Sequence, residues 1–275
     1  MKPQHRFSDT HAHLCDEAFD ADRDAVLRAA ADAGAQFITE IACEPDNWAK
    51  AEALSKANTG FIHCAFGIHP QDCHKLDDAS FLELKKFLSL PCAKALGEIG
   101  FDYARCDNSQ ESQRSAMSRL LALANERALP IVLHCRNPFD AASGPDAYAD
   151  LFSSLREVWK PQGKTFSGVL HCFSGMDRDA VSALDLGLAL GANGTATYPK
   201  NDPLRDTFRK AGLKNIVLET DCPYLPPQSK RGKRNEPAYI PESAAALAAV
   251  FNCAPEKVME SALENSIALY RLAGN

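Results

Sequence analysis

The sequence predicts a (β/α)8 barrel of the TIM type. Short apolar runs rich in β-branched residues alternate with longer amphipathic stretches along the 275 residues, as expected for a parallel sheet that is covered on both faces. The length suits a closed barrel, which runs to about 250 residues as one domain. Polar residues cluster at the carboxyl ends of several runs, where barrel enzymes carry their active sites.

Eight strands and eight helices follow in order from this pattern. The predicted strands are RFSDTHAH (6–13), QFITEIAC (36–43), FIHCAFGIH (61–69), AKALGEIG (93–100), PIVLHC (130–135), SGVLHCF (167–173), LALGANG (188–194) and NIVLET (215–220). The predicted helices cover residues 21–33, 47–57, 80–89, 109–127, 146–159, 177–186, 242–251 and 256–269.

The barrel is predicted as one domain over residues 1–275, with residues 137–144, 160–164 and 223–241 as irregular loops. A doubly wound open sheet gives nearly the same one-dimensional pattern. However, neither G-x-G-x-x-G nor G-x-x-x-x-G-K-S/T follows the first strand, so the phosphate-binding loop of an open nucleotide-binding sheet is missing. This absence favours the barrel.

Composition and charge narrow the class of protein. The chain is 45% hydrophobic and 24% charged, which is ordinary for a globular protein. A formal net charge of -6 argues against a wholly basic surface for nonspecific nucleic-acid binding but allows one local basic patch. The ten cysteines form no C-x-x-C, so we expect reduced thiols. No secretory leader and no run of about 18 apolar residues is evident, so we expect a cytoplasmic protein without membrane contact.

The first strand carries two histidines that are two residues apart. Side chains alternate along a strand, so Asp9, His11 and His13 lie on one face. Near the end of a barrel strand, both imidazoles can reach one metal ion at roughly 2.0–2.1 Å. A bare His-x-His pair is equally consistent with a histidine that packs or caps locally.

Other predicted strands end on residues of the same kind. Glu98 lies inside the otherwise apolar fourth strand, where an acid is costly unless it is paired or binds metal. His134, His171 and Asp221 lie at the ends of the fifth, sixth and eighth strands. The carboxyl ends of these strands meet at one face of a barrel. Together with the first strand they supply four histidines and two carboxylates, which predicts a metal centre.

Motifs along nearly the whole chain resemble the TatD family of metal-dependent deoxyribonucleases, within the wider group of amidohydrolase-like barrels. They are DTHAHL (9–14), GIHPQD (67–72), GEIGFD (97–102), PIVLHCR (130–136), HCFSG (171–175), ETDCPYLPP (219–227) and RGKRNEP (231–237). A single motif such as GEIG is weak, but this order and spacing form a highly specific signature. The resemblance implies a TIM-type barrel whose metal ligands are His11, His13, Glu98, His134, His171 and Asp221.

The resemblance also implies two divalent ions and a nuclease reaction. Glu98 would bridge the ions, His134 and His171 would bind one of them, and the other three ligands would bind the second. Magnesium or manganese is expected in turnover, and the mixed donors also accept zinc, nickel or iron. The expected substrate is DNA with single-stranded or frayed ends, cleaved as by an exonuclease with a metal-activated water. Asp221 would orient that water or take its proton.

Further residues on the same rim are candidates for catalysis and substrate binding. His69 in the GIHP motif is expected to contact the substrate phosphate, or else to hold the turn that follows it. Arg136 faces inward with the histidine of its strand, and a guanidinium matches the geometry of phosphate oxygens. The loop KRGKRNEP places Arg231 and Arg234 beside the centre as further phosphate contacts, unless it is only a solvated loop.

Supporting roles are expected for a second set of residues. Glu219 lies two positions before Asp221 and so faces the same side of its strand, where it would fix the tautomer of a ligand histidine. Aromatic side chains near the strand ends could stack an unpaired base or simply roof the barrel. They are Tyr103, Phe173, Tyr198 and Tyr224. His5, His63 and His74 match no motif and are assigned no chemical role.

Two other classes of function stay open at this point. Barrel metallohydrolases use one centre on many bonds, so an amidohydrolase or lactonase acting on a small molecule is the first alternative. The fourth strand has no lysine in place of Glu98, which weakens that alternative. The second is a noncatalytic binding protein on the same barrel, although no ligand of the set is lost. A monomer is the default expectation.

Overall fold

The computed structural model describes residues 6–140 and 144–272, so His5 and part of the predicted loop 137–144 lie outside the described residues. Eight parallel strands form one sheet in which each strand pairs with the next along the chain. The strands are β1 (Phe7–Ala12), β2 (Ala35–Ala42), β3 (Ile62–Phe66), β4 (Ala93–Asp102), β5 (Ile131–Arg136), β6 (Gly168–Leu170), β7 (Leu188–Ala192) and β8 (Ile216–Leu218).

This strand order confirms the predicted (β/α)8 barrel. A doubly wound sheet would reverse its strand order at a switch point, whereas here the order runs without interruption from β1 to β8. An α-helix lies in every connection between successive strands. That residues 1–275 form a single domain stays a prediction.

The two ends of the sheet meet where β1 approaches the segment that follows β8. The Asp221 amide donates to the His11 carbonyl at 2.9 Å. The Asp9 carboxylate accepts hydrogen bonds from the Thr220 amide at 2.9 Å and from the Thr220 hydroxyl at 2.5 Å, joining residues 211 positions apart. Asp9 and Thr220 are both buried. This seam holds side by side the segments that carry the first and last predicted ligands.

Nine α-helices surround the strands in the described part of the chain. They are α1 (Arg23–Ala33), α2 (Pro45–Ala57), α3 (Asp78–Phe87), α4 (Gln110–Arg127), α5 (Ala147–Val158), α6 (Asp177–Asp185), α7 (Asp202–Ala211), α8 (Ile240–Phe251) and α9 (Pro255–Leu269). The side chains of Asp77, Ser109 and Asp146 accept hydrogen bonds from first-turn amides of α3, α4 and α5, which fixes where these helices begin. Among the described helices, none combines the length and the apolar character that a membrane span requires.

All eight predicted helices are present, but α7 is missing from the prediction. Its sequence DPLRDTFRKA contains only two large apolar residues, Leu204 and Phe208, and two side chains do not establish a helical period in a short charged segment. In the structure Phe208 is buried, and the Thr207 hydroxyl donates to Asp177 of α6 at 2.6 Å. Tertiary contacts therefore support a helix that its own periodicity does not reveal.

The interior of the barrel is apolar near the amino ends of the strands and polar near their carboxyl ends. Val132, Val169 and Val217 belong to a cluster of buried apolar side chains that also contains aromatic rings such as Phe37. Because side chains alternate along a strand, the residues two positions further on face the interior as well, nearer to the carboxyl ends. These residues are His134, His171 and Glu219. The ten cysteines are all free thiols, as predicted.

Candidate metal centre

Four of the predicted ligands approach one another at the carboxyl end of the barrel. The Nε2 atoms of His11 and His13 lie 3.2 Å apart. Asp221 Oδ1 lies 3.6 Å from the first of these nitrogens and 3.4 Å from the second. Glu98 Oε2 lies 3.4 Å from His11 Nε2. Segments from β1, β4 and the end of β8 thus bring two imidazoles and two carboxylates together.

These separations match the edges of a metal coordination sphere. Two donors that each lie 2.0–2.1 Å from one tetrahedral ion are separated by about 3.3 Å. The four separations above fall between 3.2 and 3.6 Å. A divalent ion would also neutralise two carboxylates that the barrel holds side by side in a largely buried position. The donor set and its spacing therefore fit a divalent metal.

The two carboxylate oxygens of Glu98 have different histidine neighbours. Oε2 is the oxygen near His11. Oε1 lies 2.7 Å from His134 Nδ1 and 3.0 Å from His171 Nε2, and His69 Nε2 is 3.7 Å away. Glu98 belongs to two groups of three donors that lie within 4.8 Å of one another, one with His11 and His13 and the other with His69 and His134, and His171 belongs to a third group with His11 and Glu219. A carboxylate in this position is able to bridge two ions.

Ionisation of the centre is dominated by contacts between histidines and carboxylates. Burial alone would raise the pKa of Glu98, but the charges of His171 and His11 outweigh burial and hold that pKa well below its usual value. Burial likewise opposes a charge on His13, yet the hydrogen bond and charge of Asp221 raise the His13 pKa to about 9. Protons and a metal ion therefore compete for the same donor atoms.

Asp102 orients His134 from outside the cluster of ligands. His134 Nε2 lies 3.1 Å from Asp102 Oδ2, and Asp102 Oδ1 accepts from the amides of Ala104 and Arg105 at 2.9 and 2.8 Å. Burial would raise the pKa of Asp102, but His134 and these amides outweigh it and lower the pKa. An ionised Asp102 keeps the proton of His134 on Nε2 and leaves Nδ1 free for a metal. Asp102 is not among the predicted residues, although it shares the parity of Glu98 on β4.

Two further acidic side chains support the centre. Glu219 Oε1 lies 3.5 Å from His171 Nδ1, which has no hydrogen-bond partner among the described residues, and accepts from the Cys172 amide at 2.5 Å, so its control of a histidine tautomer stays a prediction. Glu40 is absent from the prediction. It accepts at 2.6 and 3.1 Å from two amides of the turn that follows His13, and burial raises its pKa to about 7. The sequence feature that could have revealed Glu40 is an acidic residue within the largely apolar strand β2.

Glycine at two positions allows this close packing. Gly100 has a φ of +146°, and a Cβ there would overlap the carbonyl oxygen of His134. Any larger residue would push β4 away from β5 and so separate Glu98 from His134. A Cβ at Gly191 would overlap the carboxylate of Glu219, so β7 must lack a side chain where Glu219 enters the interior.

His69 presents an N–H group toward the centre. Its Nδ1 accepts from the Gln71 amide at 3.2 Å and caps the short helix Pro70–Lys75. Burial lowers its pKa to about 3, and a neutral imidazole whose Nδ1 accepts carries its proton on Nε2. This Nε2 is the atom that lies 3.7 Å from Glu98 Oε1. His69 therefore holds the turn and also directs a donor at the centre.

The three predicted arginines lie in different environments. Arg136 is the last residue of β5, two positions after His134, and it is partly exposed on the rim of the barrel. Arg231 lies over the ring of Tyr198, with its guanidinium carbon 4.9 Å from the ring centroid. Arg234 binds both carboxylate oxygens of Asp22 at 2.8 Å. Because this bidentate ion pair already occupies its guanidinium, the structure does not support Arg234 as a phosphate contact, and its observed role is to hold the start of α1.

Among the four aromatic candidates, Tyr224 is the exposed one. Its side chain is 54% exposed, and its ring centroid lies 6.1 Å from that of His13. Phe173 is buried and packs against the rings of Tyr148 and Phe208 on the surrounding helices. The hydroxyl groups of Tyr103 and Tyr198 donate hydrogen bonds to neighbouring segments at 2.7 and 2.9 Å. Of the four rings, Tyr224 offers the largest accessible face beside the centre.

Known proteins share this barrel and its motifs. The family model described as TatD related DNase matches residues 8–271, a range that contains every ligand named above. The chain belongs to this family. The predicted class, a metal-dependent TatD-type nuclease that hydrolyses phosphodiester bonds, is thereby confirmed, and the small-molecule and noncatalytic alternatives are not favoured.

Relatives of this TatD-family chain are similar over almost their full length. The uncharacterized metal-dependent hydrolase YjjV of Escherichia coli is 32% identical, over 97% of this chain and 98% of its own. The crystal structure of YjjV has a TM-score of 0.87 and 31% identity, covering 98% of this chain and 99% of its own. The 3'-5' ssDNA/RNA exonuclease TatD of Erwinia billingiae is 30% identical, over 96% of this chain and 98% of its own.

Proposed function

We propose that this chain removes nucleotides from an end of single-stranded DNA by hydrolysing phosphodiester bonds with two divalent ions. The observation that carries the proposal is Glu98, whose Oε2 faces His11 while its Oε1 faces His134 and His171. Two-metal phosphoesterases hold their ions about 3.5–4 Å apart, a distance that one carboxylate can bridge. The exonuclease activity named for the Erwinia billingiae relative supports action on a single-stranded end.

The proposed ligands divide between the two ions. One ion would be held by the ligands of β1 and of the segment that follows β8, the other by those of β5 and β6, and the carboxylate of β4 would be shared. The proposed ligands of the first ion are His11, His13 and Asp221, those of the second are His134 and His171, and Glu98 is shared. We propose manganese or magnesium in turnover, although nitrogen donors also accept zinc, nickel or iron. When bound, the ions supply Lewis acidity that acidifies a water molecule and polarises the phosphoryl oxygens.

Three side chains act directly on the reacting groups. Asp221 accepts the proton that the attacking water loses. His69 donates its Nε2–H to a nonbridging phosphate oxygen, and Arg136 pairs with the same phosphate from the rim. A bond forms between the water oxygen and phosphorus as the bond to the leaving ester oxygen breaks, and that oxygen takes a proton from solvent. Tyr224 stacks against the base next to the cleaved bond.

The test is an assay with metal-stripped protein. Single-stranded DNA, duplex DNA and single-stranded RNA, each labelled at one end, are incubated with and without manganese or magnesium, beside a panel of lactones and amides. We expect mononucleotides from single-stranded DNA only when metal is restored, and slower release from the duplex. Turnover of the lactone or amide panel without release of nucleotides would show that the nuclease proposal is wrong.

Asp221→Asn tests the proposed base. The amide keeps the shape of the side chain but cannot accept a proton, so we expect kcat to fall by about 10²–10⁴-fold. Metal content is measured in parallel by elemental analysis. If the variant kept both full metal content and full activity, Asp221 would have no role as a base.

A further inference from the structure

A groove of about 820 Å³ opens beside the metal centre. Its walls are the loop between β6 and α6 on one side and residues 195–210, which lead into α7, on the other. Arg136 and Cys172 line the end nearest the centre, and each follows a predicted ligand by one or two positions. The volume lies in the range that buries a drug-sized ligand, so it exceeds what a single phosphate group requires.

The groove is positively charged although the whole chain carries a net charge of -6. Its lining includes four cationic and two anionic side chains, namely Arg136, Arg178, Lys200, Lys210, Asp177 and Asp206. Lys210 pairs with both of these aspartates at 2.5 and 2.7 Å, and Arg178 pairs with Asp146 at 3.2 Å. Because Lys210 and Arg178 already pair with carboxylates, their charges are less available to a bound anion.

Lys200 is the cation that stays available. It is exposed, and no hydrogen bond or ion pair to it occurs within residues 6–140 and 144–272. Arg136 also lines the groove, is partly exposed, and has one guanidinium nitrogen 3.6 Å from Asp102 Oδ2. Met176 in the same lining contributes an apolar side chain that is 62% exposed. A lining that combines available positive charge with exposed apolar surface suits a chain of phosphates joined by sugars and bases.

We propose that this groove binds the nucleotides of a single-stranded polynucleotide that adjoin the cleaved bond, with Lys200 paired to a phosphate beyond the reacting one. The proposal rests on the proposed function, because the occupant is the uncleaved part of the same substrate. It differs from the predicted basic loop at 230–237, whose Arg234 is bound to Asp22. Electrostatic attraction along this groove would favour long strands over a dinucleotide, whose only phosphodiester lies at the metal centre.

The experiment compares an oligonucleotide of about ten nucleotides with a dinucleotide, using wild type, K200E and K200Q. The readout is the ratio of kcat/KM for the two substrates, together with the salt dependence of kcat/KM for the longer one. K164E is the matched control, because Lys164 is equally exposed but lies in the loop that precedes β6, on the opposite end of the barrel.

We expect K200E to lower the ratio by about five- to tenfold and to reduce the salt slope by about 0.7, the contribution of one phosphate on a single strand. K200Q should give a smaller decrease, and K164E should match wild type. The proposed role of the groove would be wrong if the ratio of kcat/KM in K200E equalled that of wild type, or if K164E lowered this ratio as much as K200E does. If the wild-type protein cleaved neither substrate, the nuclease proposal would be wrong, and so would the proposal that a polynucleotide occupies the groove.

Discussion

Asp102 is a residue whose hydrogen bonds predict a specific effect on metal binding. Both of its carboxylate oxygens accept, Oδ1 from two backbone amides and Oδ2 from His134 Nε2. An amide has only one acceptor oxygen, so Asp102→Asn must turn an NH2 group toward one of these donors. We expect the tautomer and position of His134 to be lost, and metal affinity and kcat/KM to fall by about 10- to 100-fold.

Calorimetric titration with manganese measures that change in the Asp102→Asn variant. Asp150→Asn is the matched control, because Asp150 accepts from Tyr103 and Arg114 on the outer side of the barrel and touches no predicted ligand. Unchanged manganese affinity in Asp102→Asn would mean that Asp102 does not position His134. A loss in both variants would indicate general destabilisation.

His69 combines two roles that substitution can separate. Asparagine offers a side-chain oxygen at the position of Nδ1, so His69→Asn keeps the cap on the Gln71 amide but removes the Nε2–H donor. His69→Ala removes both. We expect both variants to lose about a hundredfold in kcat, the usual effect of removing a donor to a developing anion. Only His69→Ala should also lose about 0.5–2 kcal/mol in the free energy of unfolding, as for a lost cap.

Urea denaturation and steady-state kinetics distinguish these outcomes for His69. Full kcat in His69→Asn would refute a donor role at the phosphate. Equal stability losses in the two variants would refute the cap. Either result leaves the other role intact, because the two nitrogens of the ring have separate partners.

At the scale of elements, the seam between β1 and the end of β8 holds the first and last ligands in register. The Thr220 hydroxyl donates to the buried Asp9 carboxylate. Thr220→Val keeps the shape and leaves that carboxylate short of one donor, so we expect a loss of about 1–3 kcal/mol in the free energy of unfolding. Metal affinity should decrease as well, because His11 and Asp221 meet across the same seam.

Ser8→Ala is the control for the seam. The Ser8 hydroxyl is buried on β1 and has no hydrogen-bond partner among the described residues, so its removal breaks no hydrogen bond and should not lower the free energy of unfolding. Chemical denaturation measures both variants. If Thr220→Val were no more destabilising than Ser8→Ala, the bond between Asp9 and Thr220 would contribute nothing to closure of the barrel.

The elements that the sequence predicts are those with a clear local signal. All eight strands and eight of the nine described helices follow from period and composition, because strands buried on both faces are continuously apolar. Helix α7 lacks that signal, since its helical state depends on contacts with α6. Parity and position at the strand ends likewise suffice to assign the ligands to one face of the barrel.

The parts of the site that escape prediction depend on distances between segments. Parity marks Asp102 as inward, but its contact with His134 depends on the register between β4 and β5, which has an irregularity between Gly97 and Ile99. Arg234 illustrates the opposite case. Its motif suggests a substrate contact, whereas its partner Asp22 lies 212 positions away in the sequence. A pairing at that range is invisible to local pattern.

At the scale of the whole molecule, the barrel separates the residues that stabilise the fold from those that bind ligands. Apolar side chains fill the interior near the amino ends of the strands, while the polar layer near their carboxyl ends concentrates histidines and carboxylates. The strands impose this layer on the molecule, and its charges are balanced either by protons or by metal. Stability should therefore depend on both pH and metal.

The pKa of His13 predicts the sign of that dependence. A raised histidine pKa stabilises the folded state fully below the usual value of 6.5, and this contribution is lost as pH rises through about 9. Burial opposes a charge on His134 and His171 too, but neighbouring carboxylates outweigh it and raise both pKa values. The three histidines therefore act in the same direction in the metal-stripped protein.

We expect the Tm of the metal-stripped protein to fall between pH 6.5 and pH 9, and the fall to be smaller in His13→Asn, because that variant lacks one of the titrating groups. Saturating manganese should raise the Tm of wild type, by linkage to the folded state, and weaken its pH dependence, since the ion occupies nitrogens that protons would otherwise hold. Scanning calorimetry across this range measures all three curves. A stripped wild-type Tm that rises with pH, or a His13→Asn curve parallel to wild type, would contradict the charged contact between His13 and Asp221.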